Sequence, residues 1–280
     1  AHTQNTWRRA RCHSIAHPDA ADCAGSSRSA RHDQAPGRCL QHHRRHPVCR
    51  SCLRCAAAAV RKGAARAYGR TRDAEAAHSA PLVITAVLLP LAVTGCYLLL
   101  FRGTFVRTDM RSGEMFSTLS AGIAFTGIAA GFVEEMVFRG VILNLFAQRW
   151  NKVVAVIVPS LLFGIVHILG ADFTFGSCLL VILTGTMVGV MFSLIALQSG
   201  SIWNSGIVHA VWNIVIIGGG LSIGEAADAH AVASYVLESD SFAVTGGQFG
   251  IEASVISLAG YCIVAAIAYA RLRADNAKRS

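Results

Sequence analysis

Apolar positions are distributed unevenly along the chain, and their pattern changes at Pro81. Before this residue no hydrophobic period is sustained, whereas after it apolar runs follow one another with polar interruptions. A helix needs about 17–25 mostly apolar residues to cross a bilayer core of roughly 30 Å. The candidate runs are 81–101, 116–147, 153–169, 176–197, 201–217 and 251–270. The pattern therefore predicts an all-α fold, a polytopic membrane helix bundle of about six transmembrane helices.

The second of these runs is too long for a single upright span. It contains a series of glycines at Gly122, Gly127 and Gly131, and glycine weakens the interior of a helix. Three alternatives stay open for this run: a tilted helix, a helix kinked near the glycines, or two separate pieces. The longest connection, residues 218–250, is acidic and is expected to be a loop outside the membrane.

Positive charge beside the spans predicts how the chain is oriented. Cytoplasmic segments carry an excess of Lys and Arg, and both the region before Pro81 and the end of the chain, residues 271–280, are basic. Six spans would also place the two termini on one side. We therefore expect a multi-pass protein of the cell membrane with both termini in the cytoplasm. One connection disagrees, because Arg102, Arg107 and Arg111 would lie outside.

The composition supports a membrane protein and locates the excess of positive charge. Hydrophobic residues make up 53%, charged residues only 15%, and the mean hydropathy is +0.48, whereas soluble domains have about 25% charged residues. Residues 1–80 hold 15 basic and 5 acidic residues, which gives this segment a net charge of +10. The rest of the chain holds 10 basic and 11 acidic residues, a net charge of −1, so the whole chain carries +9. The expected partner of the apolar part is the lipid bilayer, and no nucleic-acid partner is expected.

The first 80 residues have a composition that does not favour a packed core. They are rich in Arg and Ala, hold eight of the 11 histidines, and lack a hydrophobic period, as is typical of disordered segments. Two interpretations stay open: a disordered basic tail, or upstream sequence joined to the protein by a misplaced start. The predicted organisation is this segment, a membrane domain over 81–270, and a basic cytoplasmic end over 271–280.

Three charged side chains lie inside the second apolar run. Glu134 and Glu135 are adjacent, and Arg139 follows Glu135 by four residues, which places the last two on one helix face, where they can pair. Each charge in the centre of a bilayer costs about 2.5–3.5 kcal/mol on insertion scales. Such residues face a protein interior or a wet cavity and indicate a functional site. The spacing suggests one carboxylate neutralised by arginine and a second one free.

Two further polar motifs lie in later apolar runs. Phe163 and His167 are four residues apart, and so are His209 and Asn213, so each pair shares a helix face. Either pair alone is more typical of interhelical hydrogen bonding. Together with the two glutamates, however, they supply carboxylate, imidazole and amide groups, which are the types that acid–base catalysis needs. Counting residues from the helix ends places His209 less deep in the membrane than Glu134 and His167. The three side chains can therefore meet only if the fifth helix begins deeper or tilts differently.

The order Glu-Glu-x-x-x-Arg, Phe-x-x-x-His and His-x-x-x-Asn on successive membrane helices resembles the CPBP family. This family contains the CAAX proteases, the bacteriocin-processing Abi proteins and the Rce1-type prenyl-protein proteases. The resemblance covers about residues 81–270 and implies an intramembrane endopeptidase. It implies a substrate that is a membrane-associated or lipidated peptide or protein.

Within this resemblance the residues permit a concrete mechanism. Glu134 would act as general base on a water that His167 helps to hold, and His209 and Asn213 would donate hydrogen bonds to the oxyanion. Arg139 would orient and neutralise the second carboxylate, Glu135.

Other interpretations stay open at the level of sequence. Glu134, His167 and His209 could instead form a His₂Glu zinc site with water as the fourth ligand, in which case Glu135 would have to be the base. The same fold could also serve as a non-catalytic membrane adaptor or a bacteriocin self-immunity protein, and buried charges are also used as ion relays in transporters. Against transport, the two halves of the chain show no evident inverted repeat.

Overall fold

The computed structural model describes the backbone of residues 72–279 and the side chains of residues 80–278. The basic segment predicted over residues 1–80 therefore lies outside the described residues, apart from the part that belongs to the first helix. All described residues lie within one compact unit, Val48–Ser280.

The described chain is mostly helical, and each predicted apolar run falls on one helix. In chain order the helices are α1 (Arg72–Leu100), α2 (Ser112–Arg149), α3 (Lys152–Val166), α4 (Phe175–Ser199), α5 (Ile202–Ile216), a short α6 (Phe242–Thr245) and α7 (Val255–Arg279). The agreement follows from hydropathy, because apolar segments of this length are stable in a bilayer only when every backbone polar group is paired within a helix.

Four of these helices are long and apolar enough to cross a membrane. The spans are Ala80–Leu100, Ser112–Arg149, Phe175–Ser199 and Val255–Lys278. Helices α3 and α5 are also apolar but have only 15 residues each, or about 22 Å at 1.5 Å per residue. This is a membrane protein, with four long candidate spans and two shorter apolar helices among the described residues.

Helix α2 is unbroken, but its hydrogen-bond pattern changes along its length. Two π-helical segments, Gly122–Ala130 and Met136–Ile142, flank the short α-helical turn that carries both glutamates. The glycines serve close packing against α5. A Cβ atom on Gly131 would lie only 2.9 Å from the backbone nitrogen of Ala210, so α2 and α5 approach each other there to near backbone contact.

The turn between α4 and α5 is tight and well capped. Gly200 adopts a left-handed conformation with φ 65°, which glycine accepts without steric cost. Ser201 then caps α5, since its hydroxyl accepts a hydrogen bond from the backbone nitrogen of Trp203 at 3.3 Å. This turn brings α5 back along α4 and so fixes the position of the His209 helix.

A three-stranded sheet corrects the all-α prediction. Its strands are β1 (Gly103–Arg107), β2 (Leu221–Gly224) and β3 (Ala233–Leu237), in the order β1-β3-β2. Strand β3 pairs antiparallel with β1 and parallel with β2. The strands occupy segments that the sequence predicted as connections. The pairing of β1 with β3 joins residues more than 100 positions apart, which a local pattern cannot reveal.

The largest buried cluster of the bundle forms where α1, α4, α5 and α7 meet. Tyr97, Phe192, Trp212 and Tyr261 are all buried there. Many other large apolar side chains are exposed, including Phe125, which is 73% exposed. A contiguous apolar exterior of this kind is suited to lipid.

Candidate active site

Glu135 and Arg139 form a fully buried ion pair on α2. One guanidinium nitrogen of Arg139 donates to Oε1 of Glu135 at 2.7 Å, and the other donates to the backbone carbonyl of Gly189 on α4 at 2.9 Å. The guanidinium also lies 4.8 Å from the ring centre of Phe163 and 5.2 Å from that of Phe192. The pair predicted from the four-residue spacing is therefore present, and it ties α2 to α3 and α4.

Glu134 lies one residue earlier and points in a different direction. Its side chain is 33% exposed, whereas those of Glu135 and Arg139 are at most 1% exposed. Its Oε2 atom lies 3.7 Å from Nε2 of His209. The rotation of about 100° between consecutive helical residues thus separates a buried, paired carboxylate from a more accessible one.

His209 on α5 lies between these two carboxylates. Its Nδ1 atom is 3.2 Å from Oε1 of Glu135, and its ring stacks on Phe192 with 4.6 Å between ring centres. Because Oε1 of Glu135 already accepts from Arg139, we assign the proton of this contact to Nδ1 of His209. In the neutral ring Nε2 is then an acceptor, and it can donate only when the imidazole carries a positive charge.

His167 follows the last residue of α3 and is oriented by its own helix. Its Nδ1 atom lies 2.6 Å from the carbonyl oxygen of Phe163. Since a carbonyl can only accept, Nδ1 is the donor, and Nε2 of the neutral ring is left with a lone pair. The Phe163 ring lies 4.6 Å from the His167 ring and 5.9 Å from the His209 ring, so this one aromatic residue packs against both histidines.

Asn213 lies one turn after His209 and is linked to α2. Its amide nitrogen donates to the backbone carbonyl of Thr126 at 2.9 Å. Thr126 lies in the first π-helical segment of α2, and such segments occur often at functional sites. The hydrogen bond fixes the direction in which the amide of Asn213 points.

One cavity of about 160 Å³ brings these groups together. Glu134, His167, His209 and Asn213 all line it, while Glu135 and Arg139 are buried behind its wall. The difference in depth expected for His209 does not prevent this convergence. A cavity of this size has room for several water molecules beside polar groups.

The cavity also has lining residues that the sequence did not single out as site residues. They are Thr126, Phe192, Trp212, Phe249, Glu252 and Tyr261. Phe249 packs with its ring centre 6.1 Å from that of His167. For three of these residues the sequence held a sign of a place near the site. Trp212 lies beside Asn213, Phe192 lies in the fourth apolar run, and Glu252 is an acidic residue at a span edge.

The described residues do not form the zinc site that was considered from sequence. Within residues 80–278 no three His, Cys, Asp or Glu side chains are grouped as metal ligands. Glu134 and His209 approach each other, but His167 is not part of a three-residue cluster with them. The arrangement therefore does not fit a His₂Glu zinc site.

Comparison with known protein families gives a match over the segment that carries these residues. Residues 116–215 match the family described as type II CAAX prenyl endopeptidase Rce1-like, and this range includes all seven motif residues from Glu134 to Asn213. Neither the curated proteins nor the solved structures searched give a match. The chain thus carries a domain of the Rce1-like type II CAAX prenyl endopeptidase (CPBP) family.

Proposed function

We propose that this protein is an intramembrane endopeptidase that hydrolyses a peptide bond with water activated by Glu134. Membership in the Rce1-like family implies an intramembrane protease. The observation that carries the finer proposal is the shared cavity, into which one accessible carboxylate, two imidazoles and one amide project.

Activation of water is assigned to Glu134 and His167. Glu134 takes one proton from the water, while Nε2 of His167 accepts a hydrogen bond from the other O–H. Both roles agree with the geometry, because the Glu134 carboxylate is accessible and Nδ1 of His167 is already occupied by the Phe163 carbonyl. The hydroxide that forms adds to the carbonyl carbon of the scissile bond.

Stabilisation of the oxyanion is assigned to His209 and Asn213. Because Nδ1 of His209 faces Glu135, Nε2 can donate to the oxyanion only from the protonated ring. Glu134 and Glu135 lie on either side of this ring. Asn213 supplies a neutral donor, and removal of one such donor in other enzymes lowers the rate about 10²–10³-fold.

Glu135 and Arg139 act as positioning residues. They do not line the cavity, yet Glu135 holds the ring of His209 and Arg139 holds Glu135. Arg139 also neutralises one of the two adjacent carboxylates, so the buried pair does not place a second free negative charge beside Glu134.

The proposed substrates are prenylated proteins, cleaved near the membrane. The family implies prenylated protein substrates, and two apolar residues of α4, Val181 and Val188, also line the cavity. Such a wall suits a lipidated or apolar peptide segment. In this proposal the two short helices also cross the membrane, which gives six spans.

The direct test uses the full chain purified in detergent and a prenylated peptide with a C-terminal CAAX sequence. Mass spectrometry of the products should show one cleavage by the wild type and none by Glu134→Gln. The variant Glu238→Gln, at an exposed glutamate after β3, is the matched control and should cleave normally. A wild-type protein that binds the peptide without cleaving it would instead support the adaptor or immunity role.

A further inference from the structure

Glu252 is a carboxyl group in the wall of the cavity that the mechanism above does not use. It lies on a single 3₁₀ turn, Ile251–Ala253, between the short helix α6 and α7. Its two neighbours are buried, Ile251 at 4% and Ala253 at 0% exposure. Glu252 itself is half-buried and faces the cavity of Glu134 and the histidines. A carboxyl in such a wall is costly unless it has a role or a partner.

The backbone around Glu252 is held firmly. The Tyr261 hydroxyl on α7 donates to the carbonyl oxygen of Glu252 at 3.0 Å, and the Ser257 hydroxyl donates to the carbonyl of Ile251 at 2.6 Å. Gly250, with φ 96°, precedes the turn. These contacts fix the direction of the side chain independently of any interaction that the carboxyl group makes.

Glu252 also lies on the boundary between two cavities. A second cavity of about 200 Å³ lies at the end of α5, beside β2, and it shares Ile217, Phe249 and Glu252 with the first. Asp228 and Ser222 also line this second cavity. A peptide fragment that leaves the first cavity on this side would pass Glu252 and enter an acidic space, which suits the amino group created by hydrolysis.

We propose that the Glu252 carboxyl is the proton donor to the leaving nitrogen, an inference that rests on the peptidase function proposed above. An amide nitrogen cannot depart as an anion near neutral pH, so it must gain a proton as the bond breaks. In the proposed mechanism Glu134 is already used to deprotonate the water. Glu252, at the opening into the second cavity, is the other acidic group in the wall.

The step balances without any co-reactant. Glu134 takes a proton from water, and the hydroxide forms a bond to the carbonyl carbon. The carbon–nitrogen bond then breaks as the Glu252 carboxyl transfers its proton to nitrogen, which yields an amine and a new carboxyl group. Finally the proton held by Glu134 returns through solvent, and Glu252 is reprotonated, so one water is consumed per bond cleaved.

The environment of Glu252 favours the acidic form that this role requires. Burial, opposed by a hydrogen bond from the Trp212 side chain and aided by the negative charge of Glu134, raises the pKa of Glu252 to about 7. Enzymes that need both an acid and a base separate two carboxyls in this way, through different surroundings. The other titratable groups that face these two cavities are Glu134, His167, His209, Tyr261 and Asp228.

The test exploits the leaving group. The full chain is assayed with two substrates, a prenylated CAAX peptide and the 4-nitrophenyl ester of the same acyl group. The nitrophenyl group of the ester leaves as a phenolate and needs no proton. For Glu252→Gln we expect amide cleavage to fall about 10²–10⁴-fold, with ester hydrolysis near the wild-type rate. Glu252→Asp, which keeps an acid, should recover part of the amide activity.

Controls separate this inference from the peptidase function itself. Glu134→Gln should lose activity towards both substrates, because the hydrolysis of either one needs an activated water. Equal losses of amide and ester activity in Glu252→Gln would show a merely structural role and overturn the inference, as would unchanged amide cleavage. A wild-type protein that hydrolyses neither substrate would overturn the proposed function, and the assignment of Glu252 would fail with it.

Discussion

The Nδ1 atom of His209 lies 3.2 Å from the same Glu135 oxygen that accepts a hydrogen bond from Arg139 at 2.7 Å. This shared oxygen connects the buried ion pair on α2 to the imidazole on α5. It fixes which nitrogen of His209 carries a proton and therefore which one faces Glu134 and the cavity. The ion pair is thus coupled to the site although it does not line the cavity.

Breaking the ion pair should damage stability as well as activity. Glu135→Gln leaves the Arg139 guanidinium buried without its counter-charge, and loss of one partner of a buried pair costs about 3–5 kcal/mol. Thermal unfolding of the purified protein in detergent should show a lower midpoint. The double variant Glu135→Leu, Arg139→Met removes both charges, so it should recover most of the stability but little of the activity. Equal stability of wild type and Glu135→Gln would contradict the buried pairing.

Asn213 should affect turnover more than substrate binding. Asn213→Ala removes the proposed oxyanion donor, so kcat should fall about 10²–10³-fold with little change in KM. The matched control is Asn144→Ala. Asn144 also donates to backbone carbonyls on α2, at 2.9 and 3.0 Å, but it is not among the residues that line the cavity. Similar losses in both variants would indicate that Asn213 has only a packing role.

The rate of amide cleavage should decrease as the pH rises through about 7. Burial raises the pKa of Glu252 to about 7, and the proton donor must be protonated, so the active fraction falls above that value. This decrease in rate at alkaline pH, the alkaline limb of the profile, should be smaller for the Glu252→Gln variant. It should also be smaller when the wild type hydrolyses the nitrophenyl ester. An unchanged limb in Glu252→Gln would contradict the acid role.

Metal chelators should leave the activity intact. The described residues hold no cluster of three His, Cys, Asp or Glu side chains that could bind a metal. Peptide cleavage should therefore be the same before and after dialysis against 1,10-phenanthroline, and the purified protein should lack stoichiometric zinc. Loss of activity that zinc restores would support the His₂Glu site of Glu134, His167 and His209 instead.

The orientation of the chain can be tested with single cysteines in a variant that lacks all nine native cysteines. Asp240→Cys lies between β3 and α6, and Ala274→Cys lies near the end of α7. With six spans and cytoplasmic termini, an impermeant thiol reagent should label the first in intact cells and the second only after permeabilisation. The reverse result would invert the topology.

The helices and most of the site could be predicted because their signals are local. Long apolar runs determine helices in a membrane. The spacing of four residues between Glu135 and Arg139 predicts their pairing on one face, and the structure contains that pair. The same local rule places Glu134 on a different face. The assignment of catalytic roles to these residues stays a prediction.

Other features depend on contacts between distant segments. The strands are only four or five residues long, and Gly103 pairs with Leu237 across 134 positions. The π-helical segments arise from a change in backbone hydrogen bonding, which side-chain periodicity does not encode. Glu252 has no motif around it. Only the fold of the connection before α7 brings it to the cavity of His167 and His209.

The most direct test of the central claim is single-turnover cleavage of a prenylated peptide by Glu134→Gln, with peptide binding measured on the same sample. We predict that the variant binds the peptide as tightly as the wild type and cleaves it at least about 10²-fold more slowly, as expected when a general base is removed. Cleavage by Glu134→Gln at the wild-type rate would contradict the account.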